Sequence, residues 1–249
     1  MTPSLCVVIP VKDDAEALGR CLAGIARQRR APCDVVVVDN GSSDTSAQVA
    51  LAHGARVVRE PRPGIPAAAA TGYDHATGDV IVRCDADSVP ADDWLDRIAA
   101  AFAADPDLDG LTGTGRFYGV PPWRARVVGG LYLGSYRLLV RGALAQEPMW
   151  GSNMALRRST WLEVTGAVHR DDPELHDDVD LTAVLGPSRT VRHDPRLVVQ
   201  VSGRSLGGRR QLRRRFRRAA RTLAVCWQTG TPRQRWARRW GLEVQPEAA

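Results

Sequence analysis

The feature that most constrains this chain is the alternation, in its first third, of short apolar runs with helical patterns. Residues 5–10, 35–38, 55–58 and 80–83 are apolar and rich in β-branched side chains, as strands buried on both faces are. Between them, residues 15–28 carry Leu18, Cys21, Leu22 and Ile25 at helical spacing, and residues 45–53 and 67–76 read as further helices. Strands separated by single helices pair in parallel through right-handed crossovers, which predicts a doubly wound α/β sheet. Ligands of such sheets sit at the carboxyl ends of the strands. Acidic loops fall at three of those ends, over 10–14, 39–44 and 85–87. The carboxylates are therefore expected on one rim.

Composition removes several alternatives. A chain of 249 residues, 44% hydrophobic and 25% charged, buries one substantial core. Its five cysteines are odd in number and form no CxxC pair. That fits reduced thiols in a cytoplasmic protein better than a disulfide framework or a zinc site. No basic segment precedes the first apolar run, which reads as a strand rather than a signal peptide. No stretch reaches the roughly 18 apolar residues of a membrane span. The expectation is a cytoplasmic protein, soluble or peripheral at the inner face of the membrane. The net charge of +6 is uneven: thirteen arginines and no acidic residue lie between Arg204 and Arg239, leaving an acidic body. Lys12 is the only lysine, so arginine serves almost everywhere a cation is wanted.

The second half is less regular. Helices are predicted over 94–104, 124–145, 175–185 and 211–227, strands over 110–117, at 191 and over 197–201, and extended chain over 151–156. The helix at 124–145 mixes Val127, Val128, Leu131, Leu138 and Leu139 with Arg126, Arg137 and Arg141. The helix at 211–227 puts Leu212, Phe216, Ala219, Ala220 and Leu223 on one face and arginines on the other.

Asp-x-Asp occurs four times, at 85–87, 105–107, 107–109 and 178–180, so position must decide between the copies. Asp105, Asp107 and Asp109 read as a solvated loop. Asp85 and Asp87 stand at a strand's carboxyl end, where two carboxylates can offer oxygens to Mg2+ or Mn2+ bridging a diphosphate; turn capping is the competing reading. In 39–45, Gly41 supplies a turn, Ser43 or Asp44 an N-cap for the next helix, and Asp39 stands where it accepts hydrogen bonds from a base. Asp177, Asp178 and Asp180 open a helix, an end that favours acids. Crowded carboxylates also repel and raise a pKa, which suits a general base.

Taken in order, these segments resemble glycosyltransferase family 2, the inverting family with the GT-A fold. Val7-Val8-Ile9-Pro10 with Lys12-Asp13-Asp14 resembles its opening strand and nucleotide loop. Residues 37–45 are similar to its second motif, Asp85-Ala86-Asp87-Ser88 to its metal motif, residues 151–158 to its acceptor-side segment, and residues 177–181 to its acidic pair, with Asp177 where Glu is usual. The resemblance covers roughly residues 5 to 205. It implies a GT-A fold with a doubly wound, mostly parallel sheet and flanking helices, filling 1–205, and a basic helical C-terminal extension over 206–249. It departs at Ala69 and Ala70, where the family often carries an Arg-Asn pair, and at Lys12, where an aromatic residue is common. The usual Gln-x-x-Arg-Trp near the end has no clear match.

The resemblance implies a single displacement with inversion, moving a sugar from a nucleotide diphosphate-sugar to an acceptor hydroxyl, in which a lipid-linked or cell-envelope glycan would be the acceptor. Pro10, Asp13, Asp14, Asp39, Ser42, Asp85 and Ala86 would hold the donor. Asp87, helped by Asp85, would bind Mn2+ or Mg2+. Asp178 would be the base, with Gly151, Ser152, Asn153, Asp177 and Asp178 around the acceptor. Arg204 would meet the diphosphate. A sugar-1-phosphate nucleotidyltransferase is the enzymatic alternative, but residues 5–20 lack its Gly-rich phosphate signature. The pI near 9.5 raises a non-catalytic nucleic-acid-binding protein using the arginine tail; the acidic body argues against it, and no nucleic acid is expected. An anionic membrane surface is the expected partner of the basic tail, with the helix at 124–145 beside it.

Overall fold

A computed structural model describes residues 2–206 and 209–242, with the side chains of 205–212 left out of the description. Eight strands form one sheet in the order β3-β2-β1-β4-β7-β6-β8-β5. The four apolar runs of the first third are its first half: β1 (Leu5–Val11), β2 (Asp34–Asp39), β3 (Arg56–Arg59) and β4 (Val80–Arg83). They pair in parallel, with Ile9 opposite Val37 and Val7 opposite Val82. β7 (Met154–Arg157) is antiparallel to both β4 and β6 (Leu108–Tyr118), and β8 (Thr190–Ser202) runs parallel to β6.

Alternation along the strands builds two cores, because successive side chains point to opposite faces. Leu5, Val7, Ile9 and Val11 face α1 (Ala15–Ala26), α2 (Ser46–Ala52) and α4 (Trp94–Ala104). Cys6 and Val8, with Val36, Val38 and Ile81, face α3 (Ile65–His75), α6 (Arg158–Val164) and α7 (Asp177–Leu185). The helices thus cover both faces, as the doubly wound reading requires. α3 approaches closest at Gly72, where an added Cβ would lie 2.3 Å from Val8 Cγ1 and 2.9 Å from Val38 Cγ2. A third cluster joins α5 (Pro122–Leu144), α7 and α8 (Arg209–Cys226) through Val140, Leu144, Val179 and Cys226. α9 (Pro232–Arg239) starts on a capping box of Thr231 and Gln234 and follows α5.

Several expectations are corrected. The predicted strands at 191 and 197–201 are one strand, β8, which carries Arg192 to Arg196 across a register shift in its pairing with β6. The polar insert hid its continuity. A short strand β5 (Ser88–Pro90) follows the acidic loop directly and pairs with β8. Residues 151–153 are a turn, with extended chain beginning only at Met154. α6 and α9 were not anticipated. The expected face of residues 211–227 includes Leu212, which lies outside the described side chains; Phe216 is 64% exposed while Leu223 packs inward.

Replacing Gly72 with Ala is expected to cost about 1–3 kcal/mol, because the methyl can only enter by displacing Val8 from a close-packed sheet. Denaturant unfolding reads this directly; an unchanged midpoint would show that α3 can shift outward freely.

Candidate active site

The rim is built from four strand or helix ends. β1 delivers Pro10 and then Lys12, Asp13 and Asp14; β2 delivers Asp39 and Asn40; β4 delivers Arg83 and then Asp85 to Asp87; the N-terminus of α7 delivers Asp177 and Asp178. Every one of these expected carboxylates lies at this end of the sheet. Their tasks differ.

At the first two loops much of the polar chemistry is local. Asp13 has φ of 49° and its Oδ1 accepts from Ser43 N at 2.7 Å and Ser43 Oγ at 3.0 Å. Those Ser43 bonds hold its pKa below the usual carboxylate value. Ser42 Oγ accepts from Asp13 N, and Ser42 N donates to Asp39 Oδ1 at 2.9 Å. Asp44 accepts from Ala15 N and Ser46 N, each at 2.9 Å, and so ties α1 to α2; the N-cap of α2 is Thr45, not the expected Ser43 or Asp44, and its side chain makes no cap bond. Asn40 anchors the neighbouring loop by donating to Glu60 O and Arg62 O and accepting from Gly64 N. A cleft of about 360 Å³ opens beside them, lined by Pro10, Lys12, Asn40, Gly64, Arg214 and Arg218 among others. Lys12 and the α8 arginines are wall residues that sequence reasoning had set aside as a departure and a tail.

The centre of the rim is Arg83. It shares a face of β4 with Ile81 and is buried, 2% exposed. Its guanidinium bridges Asp177 and Asp85, with 3.0 Å from Nη2 to Asp85 Oδ1, and Nη1 lies 3.2 Å from Tyr73 Oη. Burial works against its charge, but Asp177, Tyr73 and Asp85 outweigh that and raise its pKa. Gly151 lies directly against the guanidinium; a Cβ there would meet Arg83 Nη1 and Nη2 at 2.8 Å. Asp85 Oδ2 also accepts from Ser152 Oγ at 2.6 Å. Nothing in the sequence pattern distinguished Arg83 from a surface strand end, because its partners are 2 and 94 residues away.

Asp177 and Asp178 are thereby separated in role. Burial raises the pKa of Asp177, with Arg83 opposing and Asp178 adding to the rise. Asp178 makes no ion pair among the described residues: its Oδ2 accepts from Gly151 N at 3.2 Å and its Oδ1 from Val179 N at 2.8 Å. Tyr136 of α5 reaches the same place, its hydroxyl donating to Met149 O at 3.1 Å. Asp180 instead anchors a loop, bonded at 2.8 Å to both His169 N and His169 Nδ1. Asn153 is turned inward and is fully buried. Its amide donates to Thr114 O and Leu197 O and accepts from Trp94 Nε1, so it braces the sheet instead of facing an acceptor.

On the opposite side, Arg204 lies 2.5 Å from Asp14 and 3.9 Å from Asp87. Burial, with Asp85 and Asp14 nearby against Arg204, raises the Asp87 pKa to about 6. Among the described residues no three carboxylate, imidazole or thiol groups converge on one point. An ion held by Asp87 and Asp85 would have to take its remaining ligands from phosphate and water, as Mg2+ and Mn2+ do at diphosphates, and Asp85 already accepts from Arg83 and Ser152. The clustered, partly desolvated charge is what such a cation would relieve. Ala86 is buried between them. Ala69 and Ala70 are buried in α3, so neither position carries the family's cation, and Arg170 is the arginine that lines the small cleft beside them.

The sequence profile described as glycosyl transferase family 2 matches residues 6–163, and the chain belongs to that family. It is 38% identical over 170 residues to an uncharacterized glycosyltransferase of Mycobacterium tuberculosis, covering 67% of this chain and 73% of that one. An undecaprenyl-phosphate 4-deoxy-4-formamido-L-arabinose transferase of Sodalis glossinidius is 31% identical over 120 residues, 44% of this chain and 37% of that protein. Among solved structures, the fold is similar to a mannosyltransferase of Pyrobaculum calidifontis in complex with GDP-Man and Mn2+, with a TM-score of 0.72, 21% identity, and 96% and 69% of the two chains covered. It is also similar to glucosyl-3-phosphoglycerate synthase of Mycobacterium tuberculosis, with a TM-score of 0.62, 17% identity, and 98% and 80% covered. The fold is GT-A, and the protein is a glycosyltransferase.

Asp87 generates a pH prediction for the metal-free protein. Its folded pKa of about 6 lies above its usual 3.8, so the folded state binds the extra proton and stability falls as pH rises through 6. Asp87→Asn should therefore stabilise the metal-free protein by about 1–2 kcal/mol at neutral pH, discounted for partial exposure, with the gain gone below pH about 4. Chemical unfolding across that range reads it; an equal effect at both ends would contradict the assignment.

Proposed function

We propose that the protein transfers a sugar from a nucleotide diphosphate-sugar to a hydroxyl-type acceptor, lipid-linked or part of a cell-envelope glycan, by one displacement with inversion. The observation that carries this reading is the division of the rim carboxylates: Arg83 holds Asp177 and Asp85, while Asp178, beside Gly151, makes no ion pair among the described residues. A double displacement needs a second free carboxylate as nucleophile, and the pairing of Asp177 argues against one. Residues 1–205 would carry the transfer machinery and residues 206–249 the extension.

The nucleoside would enter the cleft by Pro10, Lys12 and Asn40, with Asp39 beside it. Asp87 and Asp85 would hold Mn2+ or Mg2+, whose charge would stabilise the departing diphosphate. Arg204, on the far side of Asp87, would exchange its contact with Asp14 for a phosphate oxygen. The acceptor would lie over the 150–152 turn, where Asp178 takes its proton and Gly151 N orients the carboxylate. Among the described residues no helix is long and apolar enough to cross a membrane. An acceptor carried on lipid would have to meet this rim at a bilayer surface.

Asp178→Asn should lower transfer by about 10²–10⁴, the usual contribution of a general base, while a nucleotide-sugar found by a thermal-shift panel of UDP, GDP and dTDP donors with Mn2+ stabilises it as it does the parent protein. Near-normal turnover in that variant would overturn the assignment of the base.

A further inference from the structure

α5 has an inner face that the fold uses and an outer face that it does not. Inward, Gly129 and Tyr132 pack on Phe117, Val140 and Leu144 join α7, and the Tyr136 hydroxyl reaches Asp178. Outward stand Trp123, Val127, Leu131 and Leu138, each 54% to 73% exposed. At about 100° per residue these four fall in one stripe about 80° wide. A helix on the surface of a globular protein carries polar residues there. A contiguous apolar stripe on the outside marks a contact surface.

The charge around the stripe identifies what it contacts. α5 contains Arg124, Arg126, Arg137 and Arg141 and no acidic residue; α8 and α9 likewise contain no acidic residue. Arg124 and Arg126 make no ion pair among the described residues, whereas Arg137 and Arg141 lean on Glu147. At the far end of α5, Trp227 and Trp236 donate their indole N–H groups to Ala143 O and Gly142 O, and Trp240 stacks on Trp236. Trp240 and Leu242 are themselves exposed. Aliphatic residues between tryptophans, flanked by Arg124 and Arg126, which pair with no carboxylate among the described residues, match an anionic bilayer interface rather than an acidic protein groove, where the stripe itself would go unfilled.

We infer that the outer face of α5, continued by the tryptophans of the C-terminal helices, docks this protein on an anionic lipid surface with α5 lying in the interface. The same helix then touches the bilayer on one side and the base on the other, so an acceptor held in lipid need travel only around α5 to reach Asp178. This deepens the lipid-linked reading above and rests on it for purpose, not for binding.

The test is flotation of the full chain with phosphatidylcholine vesicles, with and without phosphatidylglycerol. The parent protein should float with the anionic vesicles, and the double variant Leu131→Glu, Leu138→Glu should lose roughly ten-fold or more in partitioning. Both positions are exposed, so the variant should melt as the parent does and keep its stabilisation by nucleotide-sugar with Mn2+. No flotation on either vesicle, or flotation of the variant equal to the parent, would overturn the proposal. A concentration-dependent dimer abolished by the variant, without vesicle binding, would assign the face to a second copy instead. Flotation as expected with no donor stabilising either protein would leave the docking face standing and remove the transferase details.

Discussion

The site depends on a guanidinium buried at the end of a strand. Burying Arg83 is costly unless its charge is paired and its donors are satisfied. Asp177, Asp85 and Tyr73 supply partners for both Nη atoms from α7, the loop after β4, and α3, and Nε is left buried without a hydrogen-bond partner. The ion pairs therefore fix the distance between β4 with its Asp85–Asp87 loop and the helix that opens with Asp177 and Asp178. Gly151 lies over the guanidinium without a side chain, which brings the 151–153 turn against the same point. Three segments far apart in sequence are held by one side chain.

The pairing also decides which acid can do what. Seven carboxylates crowd one rim, and left alone they would share protons and raise one another's pKa values. Arg83 takes two of them, Arg204 stands by Asp14 and Asp87, Asp13 and Asp39 accept from the 42–43 turn, and Asp178 is left with two backbone N–H groups and the nearby Tyr136 hydroxyl. Burial, with neighbouring carboxylates adding to it, raises the pKa values of Asp177 and Asp87.

The parallel half of the sheet was legible because its signal is local. Apolar runs and helical spacing reported β1 to β4 and their helices within a few residues. The acidic loops were legible because strand ends are where such sheets bind. What escaped was non-local. β8 hid behind the charged run from Arg192 to Arg196, and β5 is only three residues long, defined by its pairing partner. Asn153 carries a family motif, yet its amide is consumed by Trp94, Thr114 and Leu197, contacts that no spacing reveals. Arg83 looked like an ordinary strand end, and its importance comes from partners that only the fold brings to it.

The departures from the family pattern have a physical reading in the same terms. Ala69 and Ala70 leave α3 without a cation of its own at the rim; Tyr73 and Trp161 pack edge to face at 5.0 Å beside them, and Arg170 lies over the Trp161 ring at 6.0 Å. Positive charge is concentrated instead at Arg83 in the floor and Arg204 at the lip. A single displacement with Asp178 as base demands inversion at the anomeric carbon. Proton NMR of the glycoside formed from an α-linked donor reads this directly: a β-linkage is expected, and an α-linked product would show retention and rule the single displacement out.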